Sequence, residues 1–324
     1  MNAIMLGDST VGKTTMMMAS YGLINKLWSN SPFHVELAEI DQNNRIIEEY
    51  HLFQNQDIYP ESTSHFEEYP ITVRCGKQNW VDFSISDIRG ETIHDSDNAE
   101  LIGRLQKADA VLLFFDAKQI LEASDPEADF DLYALLNTSF YATNHLKLIL
   151  TIICQTDKIA PLTDEIKIKL EQYIDPLKTM ADKNQNVEFF NIPIACNSMY
   201  MLNLDIVWLK LIAFFGNLQK LLEWESICSE ELEIKRLLNC GSLSGLKNIL
   251  GINPDYKDAI ERRKKLELRK KKYHLIESIC SKFEKFKSKW QTASWYKIRR
   301  IKPKSSKEIL LMLLPVAIVW LPWF

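Results

Sequence analysis

The chain has 324 residues, of which 46% are hydrophobic and 25% are charged, and its formal net charge is -4. This composition is ordinary for a globular protein, and the length accommodates one full α/β domain plus a smaller part. The six cysteines are scattered, without a C-x-x-C pair or a histidine in metal spacing, which indicates reduced thiols rather than a zinc site. A short apolar run opens the chain and leads directly into a loop motif, so we expect no signal peptide.

The small net charge hides a strong asymmetry along the chain. Between Tyr256 and Glu308 there are 19 lysines and arginines against 6 aspartates and glutamates, so this segment carries +13 and the remainder -17. An acidic body with a basic arm indicates that the arm meets an anionic partner.

The amino-terminal residues carry the most specific motif. An apolar run at residues 2–6 precedes the loop Gly7-Asp8-Ser9-Thr10-Val11-Gly12-Lys13-Thr14, and good helix formers follow from Thr15. Strand, G-x-x-x-x-G-K-T loop and helix N-terminus in this order are typical of a phosphate-binding P-loop. The two glycines permit the tight backbone, the helix dipole favours an anion, Lys13 adds charge at the β- and γ-phosphates, and Thr14 can ligate Mg²⁺. A chance match is the alternative, and the flanking strand and helix argue against it.

Alternating strands and helices follow the loop. Strands are predicted at residues 2–6, 71–75, 80–86, 110–115, 146–153 and 187–194. Helices are predicted at residues 15–28, 45–53, 99–107, 130–144, 163–183 and 202–222. The pattern predicts an α/β P-loop NTPase fold, with a mostly parallel six-stranded sheet covered by helices on both faces. The hairpin around residues 76–79 would supply one antiparallel edge.

Polar residues stand where several strands end, which is where ligands sit in an open α/β sheet. Asp87 is placed to hold Mg²⁺, and Gly90 leaves room for the γ-phosphate. A hydroxyl of the loop before the hairpin can reach the metal; Thr63 is preferred, with Ser62 and Ser64 as rivals. Asp157 can accept the N–H groups of guanine, and Ala195 can offer a backbone N–H; a capping role for Asp157 is the alternative.

Five segments resemble, in order, the five motifs of Ras-like (TRAFAC-class) P-loop GTPases over about the first 220 residues. They are Gly7–Thr14, Thr63, Asp87–Gly90, Cys154–Asp157 and Ala195. Three further features are similar to bacterial double-GTPase-type proteins, which often belong to defence-like systems. They are the insert before the switch region, the stretch Tyr59-Pro60-x-x-Thr63, and the motif Asp87-x-x-Gly90-Glu91. The resemblance implies binding of GTP or GDP with Mg²⁺ and a nucleotide-driven switch. It implies nucleotide contacts from Gly7, Asp8, Ser9, Thr10, Val11, Gly12, Lys13, Thr14, Thr15, Gly90, Gln155, Asp157, Lys158, Ala195 and Cys196. It implies metal ligation by Thr14, Thr63 and Asp87, and catalysis by Glu91, Lys13 and Thr63.

Two positions depart from that pattern. The family's Asn-Lys-x-Asp is here Cys154-Gln155-Thr156-Asp157, so the tether to the P-loop and the stem over the base are altered. Glu91 replaces the glutamine that orients water, and can act as a base or repel the γ-phosphate, so we expect slow hydrolysis. Arg89 is either a charge donor or a surface residue. An ATPase or kinase, and a non-hydrolysing adaptor, remain alternatives.

From about Lys220 the sequence is helical. Short helices are predicted at 232–238, 243–250 and 259–268, and a long basic helix at 262–289. The basic helix packs on a partner helix or lies on an anionic membrane. No base-reading motif is present, so no specific nucleic-acid partner is predicted.

Residues 309–324 are an uncharged apolar run interrupted by Pro315 and Pro322 and preceded by a basic stretch. We expect membrane contact there, through residues 297–324, and a core helix is the alternative. The predicted parts are a GTPase domain (1–220), a basic helical arm (221–300) and an apolar segment (301–324). The expected location is the cytoplasm, with attachment to the inner face of the membrane by the carboxyl-terminal segment. A homodimer is left open.

Overall fold

The structure is a computed structural model that describes residues 1–60, 66–88, 99–122, 146–159, 163–183, 187–197, 200–243, 254–294 and 299–300. The chain divides into two compact units. The first comprises residues 1–210 with the described residues from 290 onward, and the second comprises residues 211–289.

A seven-stranded sheet forms the centre of the first unit. Its strands are β1 (Asn2–Leu6), β2 (Phe33–Leu37), β3 (Glu67–Cys75), β4 (Gln78–Asp87), β5 (Ala110–Asp116), β6 (Leu148–Cys154) and β7 (Glu188–Pro193). They lie in the order β2-β3-β4-β1-β5-β6-β7. The pairs from β4 through β7 are parallel, whereas β2 and β3 are antiparallel to their neighbours. The predicted α/β class with a mostly parallel sheet is confirmed.

The predicted count of six strands is wrong because β2 was not foreseen. Phe33, Val35 and Leu37 are buried, while His34 and Glu36 between them are only partly covered. This two-residue alternation is that of a half-buried strand, but it spans only five residues beside a helix. The antiparallel edge of the sheet is therefore β2, and the predicted hairpin, found as β3 and β4, lies one strand further in.

The helices are α1 (Lys13–Trp28), α2 (Ile40–Gln56), α3 (Ala99–Leu105), α4 (Ala117–Glu122), α5 (Asp164–Lys183), α6 (Leu204–Leu243) and α7 (Pro254–Ser294). The predicted helix at 130–144 lies outside the described residues. A second, three-stranded sheet has the order β10-β9-β8, from β8 (Ala195–Cys196), β9 (Tyr200–Leu202) and β10 (Arg299–Arg300).

The central strands are buried on both faces, as their continuous apolar sequences require. On one face, alternate residues of β1 and β5, such as Leu6 and Leu113, share a core with Leu105, Tyr173 and Leu177 of the helices. On the other face α1 is buried along most of its length. This double cover fixes β1 in the middle of the sheet and exposes only its carboxyl end to a ligand.

The helices of the second unit are longer than the sequence predicted. The helix expected to end at 222 continues to Leu243, and the expected helix at 232–238 is part of it. The expected helix at 259–268 is the beginning of α7. Apart from residue 243, the segment 243–250 lies outside the described residues.

The basic helix packs against a helix of its own chain. Ion pairs join Lys220 to Glu277 at 3.5 Å and Lys270 to Glu231 at 2.5 Å, and the Cys280 Sγ lies 3.5 Å from the Gly216 carbonyl oxygen. Residues later in α6 contact residues earlier in α7, so α6 and α7 form an antiparallel pair. A helix that is both long and apolar enough to cross a membrane does not occur within the described ranges, and residues 301–324 lie outside them.

Helices α1 and α2 approach closely at Gly22. A Cβ atom built there would lie 2.2 Å from the Cγ of Tyr50, whose ring is buried. Burial raises the pKa of Tyr50 to about 12. A side chain at residue 22 would overlap this ring, so glycine suits this point of the helix.

We predict that Gly22→Ala lowers the free energy of unfolding by about 1–3 kcal/mol, because the added methyl forces the helices apart. Urea unfolding followed by circular dichroism measures the change. Gly103→Ala is the matched control, since a Cβ at this helical glycine meets no atom within 4 Å; it should be neutral or stabilising by up to about 1 kcal/mol. Equal midpoints for the two variants would contradict the packing argument.

Candidate functional site

The loop between β1 and α1 depends on its two glycines. Gly7 has φ 154°, and a Cβ there would lie 2.7 Å from the carbonyl oxygen of Phe114 on β5. Gly12 has φ 105°, and Thr10 also adopts a positive φ of 69°. The loop therefore presses against the neighbouring strand and turns sharply into the helix, which leaves backbone N–H groups to surround an anion.

Lys13 folds back over this loop. Its Nζ donates hydrogen bonds to the carbonyl oxygens of Gly7 at 2.7 Å and Asp8 at 3.0 Å, and the side chain is buried. Burial lowers the pKa of Lys13, and the carboxylates of Asp87 and Asp8 act in the opposite direction. An anion bound beside this ammonium group would offset its desolvation, so the loop is built for negative charge.

Thr14 and Asp87 meet at the same edge of the sheet. The Thr14 hydroxyl donates to the Asp87 Oδ2 at 2.9 Å, and Asp87 is fully buried where β4 ends beside Met5 of β1. Mg²⁺ takes oxygen ligands and usually binds through one or two protein groups, several waters and substrate phosphates. A hydroxyl and a carboxylate beside a phosphate loop fit that donor set. Within the described part of the chain, no group of three or more His, Cys, Asp or Glu residues is arranged to hold a metal ion.

The residues predicted to contact the base gather where β6 ends. Gln155 turns the chain with φ 58°, and the Thr156 hydroxyl donates to the carbonyl oxygen of Ile194 at 2.9 Å. Lys158 donates a hydrogen bond to the Gln155 side chain. These contacts join the loop after β6 to the chain after β7, so the two predicted base-binding segments are neighbours.

Asp157 has a partner that sequence reasoning missed. The Asn197 Nδ2 donates to the Asp157 Oδ2 at 3.2 Å. Ala195 is buried in β8, and the Cys196 Sγ lies 4.0 Å from the carbonyl oxygen of Thr15 on α1. The base segments therefore border the start of the P-loop helix. Asn197 gave no signal, because a single asparagine after a strand is common in turns.

Cys154 occupies the buried end of β6. Burial, followed by the nearby Cys196 and Asp116, raises the pKa of its thiol well above the ordinary value, whereas Lys13 acts in the opposite direction. Its Sγ lies 4.0 Å from the Ile152 carbonyl oxygen. Cys154 is thus a buried thiol at the carboxyl end of β6.

Several predicted site residues lie outside the described residues. They are Ser62, Thr63 and Ser64 before β3, and Arg89, Gly90 and Glu91 after β4. Phe66, the first described residue after Ser64, lies beside α3. The Arg104 guanidinium on that helix is 3.5 Å from the centre of the Phe66 ring.

A polar cluster around Glu67 lies on β3, beside the strand β4 that ends in Asp87. Arg45 and Gln42 of α2 donate to the Glu67 carboxylate, and the Tyr69 hydroxyl donates to its Oε2 at 2.9 Å. Glu67 is the register partner of Asp87 across β3 and β4. Burial opposes ionisation, but the three hydrogen bonds outweigh it and lower the pKa of Glu67. The cluster fixes α2 to the strand that supports Asp87.

No family model and no curated protein matches this sequence. The solved structures similar to this chain include the S. cerevisiae Ski7 GTPase-like domain bound to GDP and inorganic phosphate. The TM-score is 0.36 and the sequence identity is 13%, and the match covers 60% of this chain and 43% of that chain. For the same domain bound to GTP, the TM-score is 0.36 and the sequence identity is 12%. The match covers 60% of this chain and 42% of that chain. For the structure of sup35 complexed with GDP, the TM-score is 0.28 and the sequence identity is 12%. The match covers 60% of this chain and 36% of that chain. The chain spans less than half of each of these proteins, and likeness at this level decides neither ligand nor activity.

The architecture itself is P-loop NTPase-like. A G-x-x-x-x-G-K-T loop joins the central parallel strand to a buried helix, and the neighbouring strand ends in the carboxylate of Asp87. Chemically, this edge offers a cradle for phosphate, one ammonium group and two oxygen donors for a divalent cation.

We predict that the stability contributed by Glu67 depends on pH. Its lowered pKa means that the stabilisation is present above about pH 4.5 and is lost as the pH falls through the folded-state value. Glu67→Gln should therefore unfold at a lower temperature than the wild type near pH 7, with a gap that closes as the pH falls through the folded-state pKa of Glu67. Thermal melts across this range measure the gap. Glu68→Gln, at the exposed neighbouring position, is the control, and a gap that stays constant with pH would refute the assignment.

Proposed function

We propose that this chain is a GTP-binding switch protein that holds GTP with Mg²⁺ at the carboxyl end of β1. The observation that carries this proposal is the Lys13 ammonium group folded into the glycine loop beside the Thr14–Asp87 pair. Phosphate-binding N–H groups, a buried cation and a magnesium-type donor pair converge on one edge of the sheet, and each suits a different part of a nucleoside triphosphate.

The roles follow from position. Backbone N–H groups of the loop would bind the β-phosphate, and Lys13 would neutralise the β- and γ-phosphates. Thr14 and Asp87 would hold Mg²⁺, which lowers the cost of charge developing on the phosphates when it is bound. Thr63 and Glu91 stay predictions for sensing and hydrolysing the γ-phosphate, and we expect slow turnover.

Guanine selectivity is supported by the pairing of Asp157 with Asn197. A carboxylate can accept several hydrogen bonds, so the amide of Asn197 orients the group and leaves acceptor capacity for the N–H groups of guanine. Adenine presents no matching pair of donors. Cys154 and Gln155 supply less support around the base than the family pattern, which predicts weaker affinity and weaker base selectivity.

The finer features of the proposal rest on the sequence. They are the similarity to double-GTPase-type proteins of defence-like systems, coupling of nucleotide state to a membrane or protein partner, a cytoplasmic location at the inner face of the membrane, and dimerisation. A non-hydrolysing adaptor is the second candidate, because Cys154 and Gln155 depart from the family's base-binding pattern. It would show no measurable turnover even with a partner present, and its fold would be indifferent to nucleotide.

We predict that fluorescent GTP binds the wild-type chain more tightly than fluorescent ATP. Lys13→Ala should weaken both by at least about 100-fold, because it removes the ammonium group from the phosphate loop. Asp157→Ala should weaken GTP by about tenfold or more and leave ATP unchanged. Lys26→Ala, an exposed lysine later in the same helix, is the control. Equal competition by ATP, with no effect of Asp157→Ala, would favour an ATPase or kinase.

We also predict that Thr14→Val removes the magnesium dependence of binding. The substitution keeps the shape of the side chain but deletes the oxygen beside Asp87. Wild-type affinity for GTP should fall about tenfold or more when Mg²⁺ is replaced by EDTA, and the variant should respond little. Thr72→Val, the same substitution on β3, is the control. A variant that retains the full magnesium response would show that Thr14 is not a ligand.

A further inference from the structure

Two sets among the basic residues of α7 differ in what they contact. The first set faces α6 and is neutralised by it: Lys270 pairs with Glu231 at 2.5 Å, Arg262 lies 3.7 Å from Glu230, and Lys272 pairs with Glu223. Trp224 and Tyr273 stack between these pairs with ring centres 5.2 Å apart. These contacts pair three basic residues of α7 with carboxylates of α6.

The second set lies on the opposite side of the helix. Lys264, Lys271, Lys282 and Lys285 are all exposed, and none of them takes part in an ion pair among the described residues. At about 100° per residue these four positions fall within an arc of about 60°, which also contains the exposed Glu267, and they extend along about 32 Å of the helix. We call these four residues the outer lysine row.

Exposed apolar side chains accompany the row. Leu268 and Leu275, on the same side of α7, are 66% and 40% exposed. Among the described residues, two large exposed apolar side chains beside four unpaired lysines on one side of a helix favour an interaction site over a merely solvated face.

We propose that the outer lysine row and its exposed leucines bind the surface of a membrane that contains anionic lipids. Lysines attract anionic headgroups, each adding roughly fivefold to affinity, while their aliphatic stems and the leucines contact the acyl boundary. A nucleic-acid backbone would use the lysines but would gain nothing from the leucines. This inference deepens the proposed function by naming the partner of the helical arm, and only the coupling to nucleotide rests on that function.

The test is sedimentation of the full chain with vesicles of phosphatidylcholine alone or with about 30% phosphatidylglycerol. The wild type should bind the anionic vesicles at least about tenfold more tightly, and added salt should weaken this binding. Changing Lys264, Lys271, Lys282 and Lys285 together to Gln should remove the preference. The matched control changes four exposed lysines of the first unit to Gln, namely Lys26, Lys77, Lys178 and Lys183, and should keep most of it.

A second variant, Leu268→Ser with Leu275→Ser, should weaken vesicle binding without changing its dependence on salt. Three results would overturn the proposal: no preference of the wild type for anionic vesicles, equal binding by the outer-row variant, or an equal loss in the control. Loss of DNA or RNA binding in the outer-row variant, with vesicle binding intact, would assign the row to nucleic acid. Titration with fluorescent GTP runs separately on every variant, so failure at the membrane and failure at the P-loop are distinguishable.

Discussion

The Lys13 ammonium group, held by the carbonyl oxygens of Gly7 and Asp8 and facing the Asp87 carboxylate, is the contact on which the site depends. Its burial is unfavourable unless negative charge lies nearby. The backbone carbonyls and the carboxylate supply part of that charge, and a phosphate would supply the rest. The central place of β1, with β4 on one side and β5 on the other, brings these groups to a single edge.

The inserted segment, made of β2 and α2, is fastened to this centre by specific contacts rather than by apolar burial alone. The Tyr21 hydroxyl of α1 donates to Asn43 of α2 at 2.6 Å and accepts from the backbone N–H of Leu37 at 3.1 Å. Arg45 reaches the Glu67 carboxylate on β3. A segment that would otherwise be a peripheral addition therefore forms one packed body with the P-loop helix and with the strand that pairs with the Asp87 strand.

The parts of the fold that sequence reasoning reached are those with a local pattern. The glycine loop, the apolar strands such as Ala110–Asp116 and the β3–β4 hairpin each carry their own signal, and the structure contains all of them. Features that depend on distant residues were not foreseen. The Arg45–Glu67 pair joins positions 22 apart and the Asp157–Asn197 pair joins positions 40 apart, and no period links them. Helices α6 and α7 were underestimated because their length comes from packing on each other.

Cys154 gives the site a built-in chemical reporter. Alkylating reagents attack the thiolate, and burial keeps this sulfur in its protonated form beside the phosphate loop. Its modification therefore requires the end of β6 to separate from its neighbours, so the rate of labelling measures how often this edge of the sheet opens. A nucleotide that tightened the loop would slow that rate, and a reaction at one sulfur atom would then report occupancy without any attached fluorophore.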